Sequence, residues 1–276
     1  MSQAPDSRAP TPMHDFYAPL SAAPQDQADG LRRMFAGRQR RVLPLVANPY
    51  VAFSGVVLDR LAAVLSRAGR QVLVVDASSA SPPPHEMAAL DLAVCIESVS
   101  PGVGYLAASG LPMSHVDTRG CAGNFIDAVQ RAAPQADIVL LHADAQDLAR
   151  IFKRRAARPL LIGADHPDSI KHAYAAAKVL AARCALLTFD LLLVAAPQSP
   201  RAAAIAHSLG GCCETFLGAV LCHTALIDPT TEPTTAPDAA LAALLAAQLA
   251  LDDLAPAAGV AGLRATPASS ASSAFR

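Results

Sequence analysis

The residues best able to do chemistry in this sequence stand singly, each at the end of an apolar run. Asp76 closes Val72–Val75. His142 closes Ile138–Leu141, with Asp144 and Asp147 just beyond it. A histidine after a buried strand is a candidate general base, because its proton affinity lies near neutrality. It is also the ordinary polar end of a strand, and the surrounding residues favour that plainer role. Asp165-His166-Pro167-Asp168 reads as a loop leading into a helix, with Asp168 or Ser169 as the N-cap. Six cysteines, at 95, 121, 184, 212, 213 and 222, form no C-x-x-C and no zinc-finger spacing with histidine, so no metal site is expected. Most lie in apolar runs, where a free thiol behaves as a small core residue. Cys212-Cys213 is the pair that a redox role would use, but such a role needs an exposed, electropositive setting.

Positioning such residues requires a regular frame, and the hydropathy pattern supplies one. Stretches at 42–47, 72–75, 138–141, 159–162 and 189–194 read as strands, and the unbroken apolar run at 72–75 suits one buried on both faces of a parallel sheet. Weaker strands are expected at 94–96, 104–108 and 216–221. Between them lie helical stretches at 54–68, 122–132, 148–155, 169–183 and 200–209, the last closed by Gly210-Gly211, and a helix is expected to start at 85–92. Helix 54–68 turns Leu58, Leu61, Ala62 and Leu65 to one side. The alternation predicts an α/β fold, a doubly wound, mainly parallel sheet with helices on both faces. Ligands in such sheets bind at the carboxyl ends of strands, so functional residues belong just after the strands at 42–47, 72–75 and 138–141. Residues 1–24 and 255–276 read as disordered tails, 25–36 as a short element of its own, 40–228 as the α/β domain, 229–237 as a Pro/Thr-rich linker and 238–254 as an Ala/Leu helix.

The totals narrow the function further. The chain has 276 residues, 53% hydrophobic and 16% charged, with a net charge of −1. That balance gives no field for nucleic acid or an anionic membrane. No apolar run reaches the roughly 20 residues a bilayer span needs, and the start of the chain lacks a signal-peptide pattern. A soluble, reduced, cytoplasmic protein is expected. The helix at 238–254 carries no Lys or Arg on its polar side, unlike membrane-surface helices, so it is expected to pack or to bind a partner.

One segment sharpens the reading. Arg41–Asp76 runs strand, turn, helix, strand, and the turn is Ala47-Asn48-Pro49-Tyr50-Val51-Ala52-Phe53-Ser54-Gly55. In P-loop proteins a turn at this place carries glycines, a lysine and a Ser or Thr that hold phosphates and magnesium. The frame, together with Asp26-Gln27-Ala28 and Leu31-Arg32 ahead of it, resembles the MinD/ParA group of deviant Walker ATPases, and within it the flagellar FlhG proteins. The latter carry a DQAxxLR element before their first strand. Ser169–Leu180 is also similar to a late helix of the family. The resemblance covers roughly residues 25–225, and only its first part is specific. It implies a P-loop NTPase-like fold of the SIMIBI, MinD type.

Laid on the family's K-G-G-x-G-K-[ST] loop, Pro49 falls at the signature lysine, Ser54 at the P-loop lysine and Gly55 at the magnesium-binding Ser/Thr. After the strand at 72–75, Asp76 keeps the first Asp of the family's D-x-D, while Ser78 replaces the second. His142 stands at the Walker-B position. Pro49 also removes an amide that a phosphate cradle would use. Lysines occur only at 153, 171 and 178, far from the loop.

The resemblance therefore implies a pseudo-ATPase: no catalytic residue, no metal, and no ATP or Mg²⁺ as a tight cofactor, with weak anion binding at a helix N-terminus left open. It implies a regulator of flagellar number or placement. Asp26, Gln27, Ala28, Leu31, Arg32 and Arg33 would engage an FlhF-like GTPase of the signal-recognition type. A monomer, or a dimer that needs no nucleotide, is expected. The alternatives are a deviant ATPase built around Asp76, His142 and Asp144, and a MinD-fold scaffold unrelated to flagella.

Overall fold

Strand β1 (Arg41–Val46) lies at the centre of the sheet because both its faces are apolar and both its edges are paired, by β5 (Ile138–Ala143) on one side and β6 (Leu160–Ala164) on the other. The structure, a computed structural model, describes residues 40–251 apart from Phe53. The remaining strands are β2 (Val72–Ala77), β3 (Glu97–Ser100), β4 (Val103–Ala107), β7 (Thr188–Val194) and β8 (Val220–Ile227). Their order across the sheet is β3-β4-β2-β5-β1-β6-β7-β8. All neighbours run parallel except the β3–β4 pair at one edge.

Two apolar layers cover the sheet. On one face α1 (Ser54–Arg67) buries Val57, Leu58, Leu61 and Leu65 against Leu43, Leu45, Val72 and Val74, and α7 (Ala239–Leu249) adds Leu241, Leu244 and Leu245. On the other face lie α3 (Gly123–Ala132), α4 (Ala145–Ile151), α5 (Pro167–Cys184) and α6 (Ala202–Leu217), with a short α2 (Leu111–Ser114) near the β4 end. The doubly wound, mainly parallel sheet expected from the hydropathy pattern is the fold observed. The chain leaves β1 toward α1 on one face and leaves β5 toward α4 on the other. The carboxyl ends of these two neighbours therefore flank the point where the winding switches, the usual place for a ligand in such a sheet.

Several boundaries differ from the sequence expectation. Residues 93–95 form a 3-10 turn and not a strand; the edge strand is 97–100, whose Glu-Ser-Val-Ser has no apolar pattern to reveal it. The stretch at 85–92 yields only a short 3-10 turn, Glu86–Ala89, capped by His85. Helix α4 starts at Ala145, three residues earlier than expected, because the Asp144 carbonyl takes the amides of Asp147 and Leu148. Helix α6 runs through Gly210 and Gly211, and Gly218, with φ of +61°, ends it. Packing outweighs the local cost of the two glycines, so the last strand begins at Val220 and not at Phe216. The N-cap of α5 is His166, which accepts the Asp168 amide, with Pro167 in the first turn. The Pro/Thr-rich stretch after β8 is fastened: the buried Arg60 of α1 donates to the carbonyls of Pro233, Thr235 and Ala236.

Candidate functional site

Pro49 and Asn48 shape the turn after β1. Asn48 is 4% exposed although it is polar, because every part of its amide is used. Its Nδ2 donates to the carbonyls of Ile162 (2.8 Å) and Ser169 (2.9 Å) and to Ser169 Oγ (3.0 Å). Its Oδ1 accepts the Tyr50 amide (3.1 Å), and its carbonyl accepts the Val51 amide (3.0 Å). Ser169 is fully buried and also accepts the Ala164 amide through Oγ. The turn is thus an Asx turn tied to the end of β6 and the start of α5. The amides of Tyr50 and Val51 are thereby taken up, and Pro49 has none. Asn-Pro is a recognised turn signal, but nothing local indicates that the asparagine would reach residues so distant in sequence.

Asp76 and His142 meet directly. They are register partners on β2 and β5, on the face that α1 covers, and Leu45 of β1 is the other register partner of His142. His142 Nδ1 lies 2.8 Å from Asp76 Oδ1, and Ser78 donates to the same oxygen through Oγ (2.8 Å) and its amide (3.2 Å). Burial alone would push the Asp76 carboxyl up. The hydrogen bond and charge of His142, with the Ser78 bonds, outweigh it and hold the carboxyl below its ordinary value. The His142 side chain is 2% exposed, and its Nε2 is buried without a hydrogen-bond partner among the described residues. Asp144 joins the group by accepting the Ser79 amide (3.2 Å).

The surroundings are acidic. Asp59, on α1, has its carboxyl pushed up by burial. The Tyr105 phenol of β4 is pushed up first by burial and further by the carboxylates of Asp76, Glu97 and Asp59. No lysine belongs to the group; Lys153 instead donates to the Arg119 carbonyl (2.7 Å). Among the described residues no three His, Cys, Asp or Glu side chains come together as a metal site.

The structure therefore brings together Asp76, Ser78 and His142, with Asp144 beside them, at the switch point. Pro49, Ser54 and Gly55 occupy the turn and the start of α1, where the register puts them; Ser54 is the first helical residue. Asp26, Gln27, Ala28, Leu31, Arg32 and Arg33 lie outside the described residues. Of the cysteines only Cys213 is buried, and burial pushes its thiol up to about 11, with Cys212 adding to the effect. Cys212 and Cys222 are exposed, so the expectation that most cysteines fill the core fails: a helix end and an edge strand can be apolar in sequence and still face solvent.

Sequence reasoning missed two polar groups. One is Asn48 with Ser169. The other lies at the opposite end of the sheet, where the fully buried Asp190 of β7 gathers Arg158, His223 and Gln248. An isolated aspartate inside Phe189–Val194 was its only signal.

No protein-family model matches the sequence, and neither does any curated protein. Solved structures with a similar course of chain include MinD in the MinC:MinD cell division complex of Aquifex aeolicus (9% identity, 68% of this chain, 82% of that one, TM-score 0.49). A ParA family ATPase from Chlorobium tepidum is similar at 14% identity (69% and 85%, TM-score 0.44). The MinD protein of Pyrococcus horikoshii, solved with Mg-ADP, is similar at 17% identity (69% and 82%, TM-score 0.45). The fold assignment rests on the strand order and connectivity described above. Among the described residues no helix is long and apolar enough to cross a membrane.

Proposed function

We propose that this chain is a non-catalytic, MinD-like regulator that acts by binding a partner, and that the partner is an FlhF-like GTPase engaged by residues 26–35 in flagellar biogenesis. The observation that carries the non-catalytic part is the closed turn at 47–51. A phosphate cradle needs backbone amides that point outward and are free. Here Asn48 consumes those of Tyr50 and Val51, and Pro49 has none. The neighbouring charges oppose phosphate as well: Asp76 and Asp144 stand at the carboxyl ends of β2 and β5 with no lysine bonded to either among the described residues. Asp76 commits its Oδ1 to His142 and Ser78, which leaves only Oδ2 to face a cation. The flagellar part rests on the DQAxxLR-like residues alone.

Two measurements test this reading. Titration calorimetry with ATP and Mg²⁺ is expected to show no saturable binding. A GTPase-stimulation assay with an FlhF-like partner is expected to show stimulation that Arg32→Ala and Gln27→Ala both reduce; stimulation and binding unchanged in both variants would sink the assignment of 26–35. One observation favours a second reading. The orphan Nε2 of His142, beside Asp76 and Asp144, is the group an unorthodox ATPase site would use. Clear saturable ATP binding, lost in His142→Ala, would turn the conclusion that way.

A further inference from the structure

We propose that a cavity beside α3 binds a small apolar monocarboxylate, held by Arg131 and His115. The site is separate from the one described above, because none of Asp76, Ser78, His142 or Asp144 lines it. Its volume is about 440 Å³, within the range of small-molecule sites. The 3-10 turns at 86–89 and 93–95 form one wall, and the end of α2 and one side of α3 form the others.

Small side chains leave the space open. α3 turns Phe125, Ile126 and Val129 into the core, while Ala128, Arg131 and Ala132, spaced i, i+3 and i+4, share the adjoining side. The facing turns bring Ala88, Ala89 and Ala93, so no side chain from either wall fills the gap. Leu90 and Leu92 add apolar surface. Leu90 is 82% exposed, and covering an apolar ligand would withdraw that surface from water.

Two donors without a partner line the cavity together. Among the described residues the Arg131 guanidinium makes no hydrogen bond or ion pair, and neither ring nitrogen of His115 has a hydrogen-bond partner. The His115 ring packs on Phe125, with centroids 5.4 Å apart, which fixes its plane. Burial first, and then the nearby charge of Arg131, hold the imidazole below its ordinary proton affinity. Near neutrality His115 is therefore uncharged and offers one N–H. A carboxylate suits both groups: its oxygens accept from the planar guanidinium fork and keep a lone pair for the imidazole.

Asp91, between the two 3-10 turns, also lines the cavity and turns its Oδ1 to the Ala93 amide (2.8 Å). Its charge disfavours a second negative group on the ligand. One carboxylate on an apolar body satisfies all of these walls, which describes an aliphatic or aryl acid.

Titration calorimetry of the full chain with octanoate and with phenylpropanoate tests this, with octanol as the uncharged control. Saturable binding of at least one acid is expected, with the alcohol weaker by about tenfold or more, as the loss of charge-assisted hydrogen bonds requires. Arg131→Gln is expected to weaken binding by about tenfold or more, and His115→Phe, which keeps the packing on Phe125, by a smaller factor. Ala128→Leu fills the cavity with a good helix former and is expected to abolish binding. Circular dichroism reports the fold of each variant. If Ala128→Leu does not fold, Ala132→Leu on the same side of α3 takes its place, and Arg131→Gln alters only an exposed side chain. Neither acid binding, octanol binding as well as octanoate, or wild-type affinity in folded Arg131→Gln and Ala128→Leu proteins would overturn the inference. So would binding of a leucine-rich peptide bearing one glutamate where both acids fail, which would assign the cavity to a protein partner.

Discussion

Two aspartate–histidine pairs lie on the same face of the sheet, at opposite ends of its strands, and their surroundings differ. Asp76 and His142 sit at the carboxyl ends of β2 and β5, and the Asp76 side chain is 15% exposed. Its bonds come from its register neighbour and from Ser78, two residues along the chain. Asp190 sits near the amino end of β7 and is 0% exposed. Its Oδ1 accepts the His223 amide (3.0 Å) and faces His223 Nδ1 (3.0 Å); its Oδ2 accepts Gln248 Nε2 (2.7 Å) and pairs with Arg158 Nε (2.9 Å). Gln248 also donates to the Arg158 carbonyl (2.9 Å). The second pair ties α7 to the sheet through both carboxylate oxygens, although the Nη2 of Arg158 is left buried without a hydrogen-bond partner among the described residues. The first leaves a histidine nitrogen without one at the place where ligands bind in this architecture. A buried carboxylate with partners from several elements is a fastening; one held only by its neighbours is a site, or what remains of one.

That contrast is broken most directly at Asp190. Removing one partner of a buried ion pair leaves the other charge uncompensated, at a cost of about 3–5 kcal/mol. Asp190→Ala is therefore expected to lose stability on that scale in urea unfolding and to release α7, which loses its Gln248 anchor. If Asp190→Ala and Asp76→Ala cost the same, the distinction between fastening and site fails.

Asn48 comes next, because it makes the carboxyl end partly a fastening too. Asn48→Ala removes the side-chain donor from the buried carbonyl of Ile162 and the second donor from that of Ser169, and an unsatisfied buried group costs about 1–3 kcal/mol. The expected loss is about 2–3 kcal/mol by equilibrium denaturation. The same variant frees the Tyr50 amide. If the closed turn is what excludes phosphate, Asn48→Ala gains weak anion binding in calorimetry that the wild type lacks. Stability lost with no gain in binding would place the exclusion in the carboxylates of Asp76 and Asp144.

The layers of the fold were legible because parallel strands buried on both faces leave apolar runs, as in Val72–Val75 and Ile138–Leu141. Helix α1 showed its packed face in the spacing of Leu58, Leu61 and Leu65. The edge strand β3 was hidden because an exposed strand needs no apolar residue. Helix α6 outruns its local signals because Gly210-Gly211 is a stop signal that packing overrides. The polar groups were hidden for a different reason: Asn48 and Ser169 are 121 positions apart, and no local rule joins them. Asp76 and His142 were each visible as the polar end of an apolar run, and the switch-point rule put them in one region. That they bond to each other follows from β2 and β5 becoming neighbours, which depends on the order of winding.

The smallest effect is expected at Asp76, and its pH dependence is what distinguishes it. The folded state holds the Asp76 carboxyl below its unfolded value, so the unfolded chain takes up this proton first as acid is added. The group's contribution to stability is therefore complete above the ordinary carboxylate range and is lost as the pH falls through the lowered folded value. Asp76→Asn keeps the shape and removes the charge, at an expected cost of about 1 kcal/mol near neutrality, the net value of a hydrogen-bond loss. Urea unfolding of both proteins from pH 7 downward should show the gap constant at first and closing below the usual carboxylate range. A gap that widens toward acid would mean that the folded state raises this carboxyl. Burial would then prevail over His142 and Ser78, and Asp76 would stand at the switch point as a proton donor and not as the anchor of a histidine.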